Sequence, residues 1–340
     1  HKKPSGVWIM AYTEIDDPSA YFKVQLYTGN GSADHAITFD DTDTDMSPSL
    51  VWIKNRDAAD SHCVFDAVRG ATELLHADTT ATEATDADTL DSFTSDGFQV
   101  DADVKVNTNA EKYVAWCWKE SATAGFDIVA YTGNGTDDTD ISHSLSAVPH
   151  VILVKNRAAT QPWRMQHKAL GETYGMILND TSARDDDDTA WSDEAPTSSV
   201  FTLGTSANTN NNTEAFIAYC FSEKQGFSKF GKYTSNDNID GPFIFLGFKP
   251  AFVMIKQYDA AGNNWHIYDN KREGYNGGND YLEPNNTTAE QSDVHLDILS
   301  NGFKIRTTGN DLNEGSYNYI YMAFAEAPFV NSNGVPNNAR

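Results

Sequence analysis

The sequence predicts an all-β chain: three tandem homologous β-sandwich (jelly-roll-like) units preceded by an orphan N-terminal strand. Three observations carry this. Short motifs recur in one order at one period, each repeat closes on an aromatic-rich strand, and long helical periodicity is missing. Tyr27-Thr28-Gly29-Asn30-Gly31 returns as Tyr131-Thr132-Gly133-Asn134-Gly135, and more loosely as Tyr233-Thr234-Ser235-Asn236. Lys54, Lys155 and Lys256, each ending an apolar run, stand 101 residues apart, and the closing Glu120, Glu223 and Glu326 stand 103 apart. The period divides the chain into an N-terminal strand and linker (1–19), repeats at 20–120, 121–223 and 224–330, and a polar tail at 331–340.

Taken in order, Val7 to Glu14 matches the closing strand, with Met10-Ala11-Tyr12 lying over Met322-Ala323-Phe324. This strand reads as the end of a unit whose body precedes the chain. The alternative is a strand donated to a neighbouring unit or subunit. Within each repeat, a strand such as Phe126 to Tyr131 runs into a Gly-Asn-Gly turn, whose glycines permit positive φ. The lysine segment follows a proline in two repeats (Pro149, Pro250) and reads as a buried strand. Short strands are expected around Trp163 to His167, Met176 to Leu178 and Val200 to Leu203. Ser95-Asp96-Gly97 and Ser300-Asn301-Gly302 read as hairpin turns. Ala67 to Ala77 is a weak helical candidate containing Gly70. The closing strand alternates large rings (Trp116, Trp118) with small residues (Ala115, Cys117), which suits a central strand covered on both faces.

Composition bounds the function. The 340 residues carry 24 basic and 49 acidic side chains, a formal charge of −25, with a mean hydropathy of −0.52. Such a balance argues against nucleic-acid backbones, which need a basic footprint, and against anionic lipid surfaces. No apolar run approaches the roughly 18 residues of a membrane-spanning helix, so no membrane insertion is expected. The 18 Phe, 15 Tyr and 7 Trp can build cores, which argues against global disorder. Cys63, Cys117 and Cys220 form no CxxC pattern. Two of them align with Ala11 and Ala323 as small apolar fillers.

Candidate chemistry is sparse. Asp41, Asp43 and Asp45 open like an EF-hand loop, but Met46 and Trp52 stand where a Gly and a Glu are required. A solvated acidic loop is the favoured reading; Ca²⁺ held by these three aspartates is the alternative, and no other cofactor is expected. Asp185 to Asp188 is a plainer acidic run, expected to be mobile when unfilled. The histidines show no HxxxH or HExxH pairing, which argues against zinc. No GxSxG elbow is present, and with 49 acidic residues a glycosidase dyad cannot be singled out. The repeating positions build a fold, whereas an active site would appear once; the chain is expected not to be an enzyme. Rings in polar loops are the better lead, because sugars stack on flat rings and hydrogen-bond to flanking polar groups. Trp163 and Trp265 occupy equivalent repeat positions and read as core. Trp191, Tyr275 and Tyr281 belong to single repeats and are the candidate ligand-binding residues.

The repeats resemble a domain of uncharacterised function found in tail-fibre and other virion proteins of bacteriophages, especially marine and cyanobacterial phages. The residues that carry this are Tyr131 to Gly135, Pro196 to Phe201, Ala218 to Glu223, Gly226 to Gly231, Ser300 to Lys304 and Ala323 to Phe329. The resemblance spans nearly the whole chain and implies a structural or adhesive role in the virion, without catalytic residues. The expected function is a tail-fibre or appendage component that attaches to host-surface polysaccharide. Other virion proteins are expected partners, and a homo-oligomer, a trimer by preference, is the expected assembly. A head-decoration or fibre-building subunit is the first alternative, a secreted carbohydrate-active enzyme the second. Much of the acidic charge falls in the loops, so it reads as a solubilising coat.

Overall fold

Alternating apolar residues in short runs, punctuated by Gly, Asn and Asp, set the strands of an all-β chain. The computed structural model describes residues 12–39, 44–272 and 276–337. The first set of strands is β1 (Phe22–Thr28), β2 (His35–Thr38), β3 (Leu50–Asn55), β4 (Cys63–Asp66), β5 (Gly70–His76), β6 (Ala84–Thr85), β7 (Leu90–Thr94), β8 (Gly97–Val100) and β9 (Lys112–Trp118). The second is β10 (Phe126–Thr132), β11 (Thr139–Ser142), β12 (Val151–Asn156), β13 (Arg164–His167), β14 (Tyr174–Ile177), β15 (Asp185–Asp186), β16 (Val200–Leu203) and β17 (Ala215–Phe221). The third is β18 (Ser228–Thr234), β19 (Phe243–Phe245), β20 (Phe248–Gln257), β21 (His266–Asp269), β22 (Asn279–Tyr281), β23 (Gln291–Asp293), β24 (Leu296–Leu299), β25 (Gly302–Ile305) and β26 (Asn318–Pro328). One-turn helices α1 (Val104–Asn107), α2 (Asp188–Trp191) and α3 (Asn310–Asn313) interrupt them.

Each set builds a large antiparallel sheet: β1-β9-β3-β4-β5-β6, β10-β17-β12-β13-β14-β15 and β18-β26-β20-β21. An isolated bridge between Ile267 and Leu282 carries the third sheet on towards β22. The closing strands β9, β17 and β26 lie centrally, as their two-faced sequence requires. Smaller sheets, β2-β8-β7, β11-β16 and β19-β25-β24, are formed by the intervening strands. Cys63 and Cys117 join the core between the first large sheet and its small neighbour, and Cys220 the matching core of the second; all three are free and buried. The segment Ala67 to Ala77 is not helical. It contains β5, whose residues pair with β4, and Gly70 adopts φ +115°. Of the orphan strand 7–14, residues 7–11 lie outside the described residues; Glu14 donates its backbone N–H to Gln225 O at 3.0 Å.

The recurring turn motif is explained by a buried asparagine. Asn107, Asn210 and Asn313 each accept from the backbone N–H of Asn30, Asn134 or Asn236 and donate to carbonyls on both sides of the turn. The preceding tyrosines, Tyr27, Tyr131 and Tyr233, stack on Tyr113, Phe216 and Tyr319 and donate their hydroxyls to carbonyls just before those asparagines. A Cβ on Gly133 would fall 2.3 Å from Asn211 O, so glycine is required there. Where the third turn has Ser235 instead, its Oγ donates to Glu314 O at 2.7 Å.

The inner faces of the three large sheets share one apolar core. At its centre Trp118, Phe221 and Phe324, one from each closing strand, form a triangle with ring centroids 6.4, 5.6 and 5.7 Å apart. A wholly apolar cavity of about 30 Å³ lies beside them, lined from all three sheets by residues that include Trp52, Trp163 and Met322. The sheets meet in cyclic order. Glu83 after β5 donates its N–H to Arg157 O of the second sheet, Arg184 of the second to Tyr258 O of the third, and Glu290 of the third to Arg56 O of the first.

The three seams differ in chemistry. Between the first and second sheets, Tyr219 donates to Asp66 at 2.7 Å; Asp66 pairs with buried Arg69, and Glu83 bridges Arg69 and Arg157. Between the first and third sheets the same parts are Trp116, Asp269, Arg272, Glu290 and Arg56. At the seam of the second and third sheets, Met322, His167 and Leu170 stand in the places of ring, acid and arginine. Arg184 there lies 5.1 Å from the Tyr258 ring centroid instead of making an acid–arginine bridge. Burial pushes the His167 imidazole down to about 4, so these three places carry no charge at neutral pH.

Candidate functional site

Of the expected ligand-binding rings, Trp191 and Tyr281 do not share a site. Trp191 is 1% exposed and belongs to the core under the second sheet, which corrects its assignment as a surface ring. The reason lies in β14. Gly175 leaves a hole that the indole fills, so that a Cβ there would stand 2.7 Å from both Trp191 Nε1 and Arg164 Nη2. Buried Arg164 grips Asp185 with two hydrogen bonds of 2.9 and 3.0 Å and pairs with Asp187 at 3.0 Å. Two carboxylates of the acidic run are thereby tied down, and the expected mobility of a bare Asp185–Asp188 loop is not what the packing shows. Tyr275 lies outside the described residues, as do Asp41 and Asp43; Asp45 is exposed. Among the described residues no group of three or more His, Cys, Asp or Glu side chains is arranged to hold a metal ion.

Tyr281 is half-buried, and the structure gathers a polar cluster around it. Its ring centroid lies 4.8 Å from those of both His266 and His295. The Tyr268 hydroxyl stands 2.7 Å from His295 Nδ1 and 3.3 Å from His266 Nδ1. His266 Nε2 faces Asp311 at 3.5 Å and Glu283 at 4.0 Å. Desolvation opposes charge on Asp311, yet the neighbouring His266 holds its carboxyl below the usual range. Desolvation, and then the charge of His266, push the His295 imidazole down. Burial raises the Tyr281 phenol to about 12. Two imidazoles, two phenols and two carboxylates in contact can share and move protons. His266 is buried, however, and the cluster fills the position that Cys63 with Leu74, and Arg164 with Gly175 and Trp191, fill in the other sheets.

A family model described as "Domain of unknown function (DUF7483)" matches residues 17–328. The chain belongs to that family. No curated protein and no solved structure matches it. The matched span runs without a break across all three large sheets, as their shared core would require.

The repeated lysines were legible as a period but not as a site. Lys54, Lys155 and Lys256 are fully buried, and their ammonium groups donate to the carbonyls of Asn55, Asn156 and Asn263 at 2.7, 2.6 and 2.9 Å. Burial pushes each of the three down to about 8. The seam acids Asp66 and Asp269 went unnoticed in the sequence, although each opens an Asp-x-x-Arg pattern (Asp66 to Arg69, Asp269 to Arg272) that could have flagged them.

Proposed function

We propose that the chain is a structural protein of a bacteriophage virion, a component of a tail fibre or appendage that attaches the particle to host-surface polysaccharide. On this reading the three sets of strands are homologous β-sandwich units, jelly-roll-like in that β1-β9-β3 and β2-β8 divide the first strands between two layers. The observation that carries the proposal is how the repeated residues are used. Central rings, turn asparagines, stacked tyrosines and buried lysines all serve the scaffold, and the exposed positions are left free to vary. The phage assignment itself rests on the sequence resemblance. The triangle of Trp118, Phe221 and Phe324 gives a single copy the threefold character that a homotrimer would otherwise supply.

Antibody raised against the chain and gold-labelled on purified particles tests the reading. Label on tail appendages is the expected result. Label confined to the head would replace it with the decoration reading, and particles without the chain would overturn both.

A further inference from the structure

We propose that the outer face of β19, with the groove beside it, binds neutral oligosaccharide. This deepens the attachment reading and rests on it. Strand β19 alternates exposed Phe243 (47%), buried Ile244 and exposed Phe245 (54%). The other two small sheets supply a comparison inside the same molecule. Ile37, Ile141 and Ile244 are each buried opposite a phenylalanine of the partner strand (Phe98, Phe201 and Phe303). The residues flanking the first two isoleucines are Ala36 and Thr38, and Asp140 and Ser142. Small or polar groups thus stand where the third sheet presents two rings to water. Exposed rings at a position whose counterparts need none mark a contact surface, and the Lys229 ammonium, 5.5 Å from the Phe245 ring centroid, steadies one of them.

Beside Phe245 lies a groove of about 420 Å³, within the roughly 300–1,000 Å³ of small-ligand sites. Tyr12, Phe245 and Phe329 give it rings, and Gln225, Ser228 and Lys229 give it polar groups. Charge and geometry decide the occupant. A chain of net charge −25 repels polyanions and a second copy of itself. An added peptide strand would need the backbone of β19, which is only three residues long. The Phe245 carbonyl already accepts from Lys229 Nζ at 2.8 Å. Sugar rings need neither charge nor strand. Their apolar faces stack on Phe243 and Phe245, and their hydroxyls reach the amide, hydroxyl and ammonium groups of the groove.

The test is affinity electrophoresis of the full chain through gels containing neutral glucans, mannans or galactans, with polygalacturonate as the anionic comparison. The variant is F243D/F245S, which transplants the side chains of the second sheet. Because both positions are exposed, its melting temperature should equal that of the parent. Retardation by a neutral polysaccharide, weakened about tenfold or more in the variant, is the expected result. Equal retardation of parent and variant would overturn the β19 site and leave attachment standing. Retardation by polygalacturonate alone would overturn the choice of neutral ligand. No retardation by any polysaccharide would overturn this inference. The attachment reading would then be judged separately, by whether the purified chain blocks adsorption of its particles to host cells.

Discussion

Replacing Asp66 with alanine should loosen the seam between the first two sheets. Asp66 is fully buried and accepts from the Tyr219 hydroxyl at 2.7 Å and from the backbone N–H groups of Val68 and Arg69 at 3.1 and 2.8 Å, besides pairing with the Arg69 guanidinium. The variant leaves Arg69, whose side chain is buried, with one carboxylate, Glu83 at 3.0 Å. Breaking a buried ion pair from one side costs about 3–5 kcal/mol, more than the pair contributes when compared with an apolar replacement. Unfolding 340 residues carries an entropy of about 0.7 kcal/mol/K, so the melting temperature should fall by roughly 4–7 °C. The third seam shows what the site tolerates, since His167, Leu170 and Met322 fill the same places without charge. The triple variant D66H/R69L/Y219M should therefore regain a substantial part of the loss, whereas H167A at the third seam should cost about 1–2 kcal/mol. Urea unfolding followed by tryptophan fluorescence measures all three. The reasoning fails if D66A costs under about 1 kcal/mol, or if the triple variant is no more stable than D66A.

Further outcomes follow from the same packing. Trp191→Ala should lower stability by about 3–5 kcal/mol and leave polysaccharide binding unchanged, which melting curves and affinity gels would show together. Asn210→Ala strands the Thr136 and Gly204 carbonyls and the Asn134 N–H; a loss of about 2–4 kcal/mol is expected in urea titrations. Lys155 has its folded pKa depressed to about 8, so between pH 8 and the unfolded value near 10.4 the unfolded chain binds more protons and the parent gains stability as pH rises. A Lys155→Met variant lacks that gain, so the stability of the parent minus that of the variant should rise by up to about 1.4 kcal/mol per pH unit across this window; a constant difference would refute it. The three buried cysteines should resist a thiol reagent in the folded protein and react fully in guanidinium.

What could be read in advance was whatever the repeats share and whatever acts locally. The closing strand announced its central place through Trp116 and Trp118 on one face and Ala115 and Cys117 on the other, because a strand's two faces alternate residue by residue. The seams could not be read that way. Tyr219 and Asp66 lie 153 residues apart, and nothing local to either names its partner. Trp191 misled for a related reason. A tryptophan among Asp, Ser and Thr resembles a surface ring, but its environment is set by a side chain missing from Gly175, on a different element of the same sheet. The three-sheet ring was likewise invisible, because a period of about one hundred residues fits separate beads as well as a closed ring.

Departures from the repeat therefore need sorting before they are read as function. At the third seam three residues differ from their counterparts at once, and His167 there bonds to the Tyr321 carbonyl at 3.2 Å. In the second sheet Gly175 and Trp191 changed together, and one fills the space of the other. In the third, Tyr281, His266 and Tyr268 pack on one another in the same place. These are compensated changes, and packing accounts for them. Phe243 and Phe245 differ: Lys229 lies 5.5 Å from the Phe245 centroid, yet about half of each ring remains in water. Exposed apolar surface of this extent is retained at the expense of solubility, and that expense makes sense if something outside the chain covers it. On that criterion the edge of the third small sheet, and not buried Trp191, is where contact with a ligand is to be sought.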